Sequence, residues 1–196
     1  AHIAVAELVD NSLAGAEFEV LIDNIYRMAD FNVLDLNGDE TLDFVVSGFG
    51  AVFGSVSWYE SQPDDAHIEH PLVVLPGAVK TEPFDFNGDG LLDIVTSSVG
   101  PCTPLRFFRN DGGGSFESVA QSAGLEGQLG GGNLVHADFD NDGRLDLFVT
   151  RGGWFGPSGR IRNSLLRNVA DAGDPRDAGG PGVAFVDVTV RAGLAE

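Results

Sequence analysis

The chain predicts an all-β fold of the β-propeller kind, made of repeated four-stranded antiparallel units. Two observations carry this prediction. Three stretches are near-copies of one another: Asp35-Leu-Asn-Gly-Asp-Glu-Thr-Leu-Asp43, Asp85-Phe-Asn-Gly-Asp-Gly-Leu-Leu-Asp93 and Asp138-Phe-Asp-Asn-Asp-Gly-Arg-Leu-Asp146. Their first aspartates lie about fifty residues apart, and self-similarity at that period is the mark of a propeller or a solenoid. Each copy also runs on into a β-branched and aromatic stretch (Phe44-Val-Val, Ile94-Val-Thr, Leu147-Phe-Val-Thr) that reads as a strand.

Four strands can be placed in each unit. The first has Phe31–Asp35, Leu42–Ser47, Val56–Glu60 and Pro71–Leu75; the second has Lys80–Asp85, Leu92–Ser98, Leu105–Arg109 and Phe116–Val119. The third has Leu134–Asp138, Leu145–Arg151, Ile161–Asn168 and Val183–Val188. Asn110-Asp-Gly-Gly-Gly between the last two strands of the second unit is a hairpin signal. Four-stranded units repeated radially are propeller blades. The chain is read as one propeller segment of about three to four blades, at residues 31–78, 79–125 and 132–190, with a further blade opening at 183–196. Closed propellers need roughly four to eight blades, so the expected object is part of a longer chain or one whose edges a partner covers.

The three copies have the ligand pattern of a calcium loop. Short acids or amides stand at loop positions one, three, five and nine: Asp35, Asn37, Asp39 and Asp43; Asp85, Asn87, Asp89 and Asp93; Asp138, Asp140, Asp142 and Asp146. Ca²⁺ takes six to eight oxygen ligands, and position seven adds a backbone carbonyl, here from Thr41, Leu91 and Arg144. An EF-hand opens similarly but closes with Glu at position twelve and enters a helix. Here the last acid is at nine and a strand follows. The first loop departs at position six, where Glu40 replaces Gly90 and Gly143, and a positive φ there costs a non-glycine residue about 1 kcal/mol.

These loops resemble the FG-GAP/VCBS repeat of integrin α-type propellers. Phe108-Arg-Asn-Asp-Gly-Gly-Gly-Ser-Phe116 through Leu125, Ala137–Val149, Asn163-Ser-Leu-Leu-Arg-Asn168 and Phe185–Leu194 are similar to the ASPIC/UnbV, or cartilage-acidic-protein-like, group. The resemblance runs from about Asn32 to the end. It implies a calcium-stiffened propeller outside the cytoplasm, and no single activity.

Composition narrows the partners. Thirty acids against eleven bases give a formal charge of −19, which argues against nucleic acid and anionic membrane surfaces. No apolar run reaches the length of a membrane span, and the start of the chain lacks the basic and apolar regions of a signal peptide. The expected location is extracytoplasmic, periplasmic or secreted. The lone Cys102, in the loop Gly100-Pro-Cys-Thr-Pro104, excludes an intrachain disulfide and leaves a free thiol, a modification or an intermolecular bridge, with a catalytic role disfavoured.

Other features take plain structural readings. His67-Ile-Glu-His70 follows Gln62-Pro-Asp-Asp and reads as a solvated hairpin loop; His136 reads as a packed or hydrogen-bonded core residue; Gly48–Gly54 and Gly127–Gly132 lack the setting of a phosphate loop and read as turns. The expected function is a non-catalytic calcium-binding scaffold or accessory subunit. Its partners are other protein subunits, contacted through blade edges and the loops 151–162 and 169–182. A propeller module of a secreted polysaccharide-active enzyme, or a lectin-like sugar binder, is the alternative. The enzyme requires a pocket of converging acids that are not calcium ligands. The lectin requires an exposed aromatic recurring in every blade, and Trp58 and Trp154 share no loop offset.

Overall fold

The computed structural model describes residues 2–6, 18–23, 25, 27–50, 52–151, 162–170 and 182–194. Within these residues the protein is all-β, in four antiparallel sheets. Strands β1 (Ile3–Ala6) and β2 (Phe18–Ile22) form a two-stranded sheet. The first four-stranded sheet has β3 (Met28–Leu34), β4 (Asp43–Gly48), β5 (Ser55–Ser61) and β6 (His67–Val74) in sequential order. The second has β7 (Ala78–Phe84), β8 (Asp93–Ser98), β9 (Arg106–Gly112) and β10 (Ser115–Ser118). The third has β11 (Asn133–Ala137), β12 (Asp146–Thr150), β13 (Ser164–Asn168) and β14 (Phe185–Asp187).

Successive sheets pack face to face, which explains why β4 and β8 are buried at every position instead of alternating. Phe44 and Val46 point one way, into a cluster with Ile3, Ile22 and Ile25 of the two-stranded part. Val45 points the other way and meets Ile94 and Phe108 of the second sheet, with Trp58 filling the same layer. Val95 and Phe107 leave the far side of the second sheet and meet Leu134, Leu147, Val149 and Leu166 of the third. Phe107 is wholly buried, and truncating such a ring to Ala costs roughly 3–5 kcal/mol.

The first strand of each sheet is more polar, and its side chains lace the sheets together. Asn32 Nδ2 donates to Thr81 Oγ1 at 2.9 Å, the Thr81 N–H donates to Asp30 Oδ2 at 2.9 Å, and Lys80 Nζ lies 3.2 Å from the same carboxylate. Between the second and third sheets, His136 Nδ1 lies 3.0 Å from Glu82 Oε2. His136 is thus a hydrogen-bonded core residue.

Two sequence readings change. His67–His70 is the first half of β6, and the turn before it is confined to Gln62–Ala66, closed by the Gln62 N–H donating to Ala66 O at 2.8 Å. Three residues apart on a strand, the imidazoles point to opposite faces. His67 packs near Phe44, with ring centroids 5.5 Å apart, and His70 stacks on Trp58 at 4.3 Å. The segment also expected to open a further blade is, over Phe185–Asp187, the fourth strand expected at Val183–Val188, and it closes the third sheet: Phe185 pairs with Asn168, and Val186 with Arg167. The turn after it, Val188–Leu194, repeats the backbone bonding of Val119–Leu125 after β10. Sequence likeness here runs from fourth strand to fourth strand. Residues 152–161 and 171–181, which make up most of the two loops expected to meet partners, lie outside the described residues, as does Trp154.

Candidate metal centres

Each acidic loop joins the first strand of a sheet to the second, so β3–β4, β7–β8 and β11–β12 present three equivalent turns. The turn shape is written in the backbone. Position four is left-handed in all three (Gly38 at φ +81°, Gly88 at +78°, Asn141 at +58°), and so is position six (Glu40 at +68°, Gly90 at +87°, Gly143 at +86°). Glu40 holds the φ that its glycine counterparts adopt freely, at the cost the sequence foretold.

The acids divide into two kinds. Position one ties the loop to itself: Asp35 Oδ1 accepts from the Gly38 N–H at 2.7 Å and Oδ2 from the Glu40 N–H at 2.9 Å, and Asp85 repeats this with Gly88 and Gly90 at 2.7 and 2.9 Å. Asp138 accepts from the Asp142 and Gly143 N–H groups, both at 3.0 Å. Position five accepts from the position-seven N–H, at 2.8 Å in Asp39 and Asp89 and 3.0 Å in Asp142. In the first two loops the position-three amide donates to the position-five carboxylate, Asn37 to Asp39 at 3.1 Å and Asn87 to Asp89 at 2.8 Å. Those hydrogen bonds hold Asp39 below the usual carboxylate range, the Thr41 N–H contributing most and Asn37 next.

Position nine is different. Asp43, Asp93 and Asp146 are 0, 0 and 1 % exposed. One oxygen of each accepts the position-two N–H (Leu36 at 3.1 Å, Phe86 at 3.3 Å, Phe139 at 3.1 Å) and the other accepts an N–H at the end of the third strand (Ser61 at 2.9 Å, Asn110 at 3.0 Å, Asn168 at 2.8 Å). This carboxylate anchors the loop to its sheet. Burial raises all three acids, against the pull of those N–H groups, and lifts Asp93 to about 7.

The third loop shows how these residues fit a cation. Asp138, Asp140 and Asp146 each bring one carboxylate oxygen to within 4.8 Å of the other two, a spacing suited to a hard ion with oxygen ligands about 2.3–2.6 Å away. Its excess acid also attracts arginine: Arg167 Nε lies 2.6 Å from Asp140 and Nη2 lies 2.8 Å from Asp142. Burial alone would raise Asp142, but the Arg144 backbone N–H and the Arg167 guanidinium outweigh it and hold the acid low. In the other loops Asn37 and Asn87 replace the position-three acid, so three carboxylates and an amide make up the donor set.

Sequence reasoning missed two residues. Asn110 and Asn168, each 1 % exposed, reach back to the preceding loop: Asn110 Nδ2 donates to Leu36 O at 2.8 Å and Asn168 Nδ2 to Phe86 O at 3.3 Å. The signal was an Arg-Asn pair, Arg109-Asn110 and Arg167-Asn168, ending the third strand of two successive units.

A cleft of about 690 Å³ beside the first loop is lined mainly by apolar groups, among them Phe31, Val33, Leu42 and Phe44. Trp58 is buried between the first two sheets, so it is no exposed sugar platform.

The family model of the FG-GAP-like repeat matches residues 85–149, from the first ligand of the second loop to the end of the third loop's strand. No curated protein matches the chain.

Proposed function

We propose that this protein is a calcium-binding scaffold of the β-propeller type that makes protein–protein contacts outside the cytoplasm and performs no catalysis. The FG-GAP-like match at residues 85–149 supports an interaction module of that architecture. The residues that would hold the ion are the twelve side chains at loop positions one, three, five and nine, with the carbonyls of Thr41, Leu91 and Arg144. Calcium, when bound, screens carboxylates that otherwise repel one another at the end of each sheet, and the loops stiffen. FG-GAP-like repeats are typically extracellular, which supports the extracytoplasmic reading. No helix among the described residues is long and apolar enough to cross a membrane.

One observation carries the interaction reading: among the described residues, the outer face of the third sheet is apolar and partly exposed. Its positions Val135, Phe148 and Leu165 correspond by register to Asn32, Val45 and Trp58 of the first sheet and to Glu82, Val95 and Phe107 of the second. The following sheet covers Val45, Trp58, Val95 and Phe107, whereas Val135 and its neighbour Val186 are each 47 % exposed. The occupant that fits is another sheet face of the same kind, on a partner subunit or on further repeats. Sedimentation analysis of this 196-residue chain at micromolar concentration, beside Phe148→Glu, tests this. Assembly that the substitution abolishes supports the reading; a folded, monodisperse monomer with that face bare refutes it.

A further inference from the structure

Asn110 and Asn168 touch two loops at once. The Asn110 backbone N–H donates to Asp93, position nine of the second loop, at 3.0 Å, while its side-chain amide donates to the carbonyl of Leu36, position two of the first loop, at 2.8 Å and to Leu92 O, position eight of its own loop, at 3.2 Å. Asn168 repeats this one unit later: its N–H donates to Asp146 at 2.8 Å and its amide to Phe86 O at 3.3 Å. Position two lies between the ligands at positions one and three, so the clamp fixes the backbone from which both project. The side-chain oxygens are also used, accepting from Gly112 at 2.9 Å and from Ala170 at 3.2 Å, which fixes which way each amide faces. Ser61 stands at the same place in the first sheet. Its N–H donates to Asp43 at 2.9 Å and its hydroxyl to Leu42 O at 2.7 Å, the position-eight carbonyl that corresponds to Leu92 O, so it shares the own-loop bond of Asn110.

Resting on the calcium reading above, we propose that Asn110 and Asn168 couple successive loops, so that filling one loop raises the calcium affinity of the loop before it. Asp93, which would ligate at the second loop, accepts the Asn110 backbone N–H, and the Asn110 amide holds Leu36 O of the first loop, so a shift of Asp93 on ligation is passed to that loop. By linkage the effect is reciprocal between the two sites. The unit of function is then a chain of sites that load together, and not three independent ones. A single buried hydrogen bond sets the scale of the coupling at about five-fold in affinity.

The test is a calcium titration followed by NMR at the amides of Gly38 and Glu40 in the first loop. Four chains are compared: wild type, Asp89→Ala, Asn110→Ser, and the double variant. Asn110→Ser installs the arrangement the first sheet already tolerates at Ser61, keeping a bond to the chain's own loop and losing the reach to Leu36. Asp89→Ala is expected to weaken the first loop about five-fold when Asn110 is present and less than about two-fold when Ser replaces it. Equal weakening in both backgrounds, or none in either, overturns the coupling while leaving calcium binding intact. Amides that ignore calcium in all three loops overturn the calcium reading and the coupling with it. Asp142→Ala with Asn168→Ser, read at Gly88 and Gly90, repeats the cycle one unit later should Asn110→Ser fail to fold.

Discussion

Replacing Glu40 by glycine is expected to stabilise the protein. Glu40 sits at φ +68°, and an L-residue in that region costs roughly 1–2 kcal/mol. Glycine removes that cost but makes the unfolded chain more flexible, returning about 0.5–1 kcal/mol. The net gain is about 0.5–1 kcal/mol, or on the order of 1–4 °C in Tm for a chain of this length. The reverse exchange, Gly90→Ala in the second loop, isolates the backbone term: a Cβ there meets nothing within 4 Å, so its only penalty is φ +87°. It is expected to destabilise by a similar amount. Thermal unfolding of both variants in chelator keeps metal affinity out of the comparison. If Glu40→Gly leaves Tm unchanged or lowers it while Gly90→Ala lowers it, the Glu40 side chain contributes something that backbone strain does not capture, and the argument is wrong.

Three further outcomes follow from the loops and the shared core. Free calcium at a hundred times its dissociation constant adds roughly 2.7 kcal/mol per site, so chelator lowers Tm, and Asp89→Ala and Asp142→Ala each remove one site's share; a Tm indifferent to chelator contradicts this. Burial lifts Asp93 to about 7 and raises Asp43 and Asp146, so in metal-free protein folding favours the protonated acids. Their contribution to stability is full below about pH 4, where the unfolded carboxyl is protonated as well, and is lost as pH rises through about 7 for Asp93. Calcium takes the carboxylate, so loading the second loop near pH 7 releases on the order of half a proton, measured by calorimetry in two buffers of different ionisation enthalpy. Heats that do not depend on the buffer sink that assignment. Phe107→Ala is expected to cost roughly 3–5 kcal/mol in denaturant titrations, and a loss under about 1 kcal/mol would mean the second and third sheets do not share a core.

The strands and loops were legible because their signals are local and repeated. Phe44-Val-Val reads as a buried strand wherever it falls, and Gly at position six announces its φ. His67–His70 was misread because Gln62-Pro-Asp-Asp marks a turn without saying where the turn stops, and the partner that pulls His70 into a strand, Trp58, is fixed only by pairing. Asn110 was illegible for a stronger reason. Its partner Leu36 is 74 residues away, and such a contact leaves no mark on the residues beside it. The split within the acids was also hidden. Positions one, three, five and nine look alike in sequence, yet only position nine is buried and tied to the sheet by both oxygens.

The repeated placement of the loops makes the molecule electrically lopsided. Each loop follows the first strand of its sheet, and the asparagine clamps join neighbouring loops, so all three turns gather at one end of the stack. Eleven of the thirty acids lie in those loops, Glu40 beside the ten at ligand positions. Loading three divalent ions would change the formal charge of that end by six while leaving the opposite end, with its glycine-rich Gly48–Gly54 turn, as it was. Calcium would therefore cancel about half of the negative charge of those loops as well as stiffen them. A cationic partner approaching at low ionic strength would be steered to the loop end of the empty protein and only weakly to the same end of the filled one.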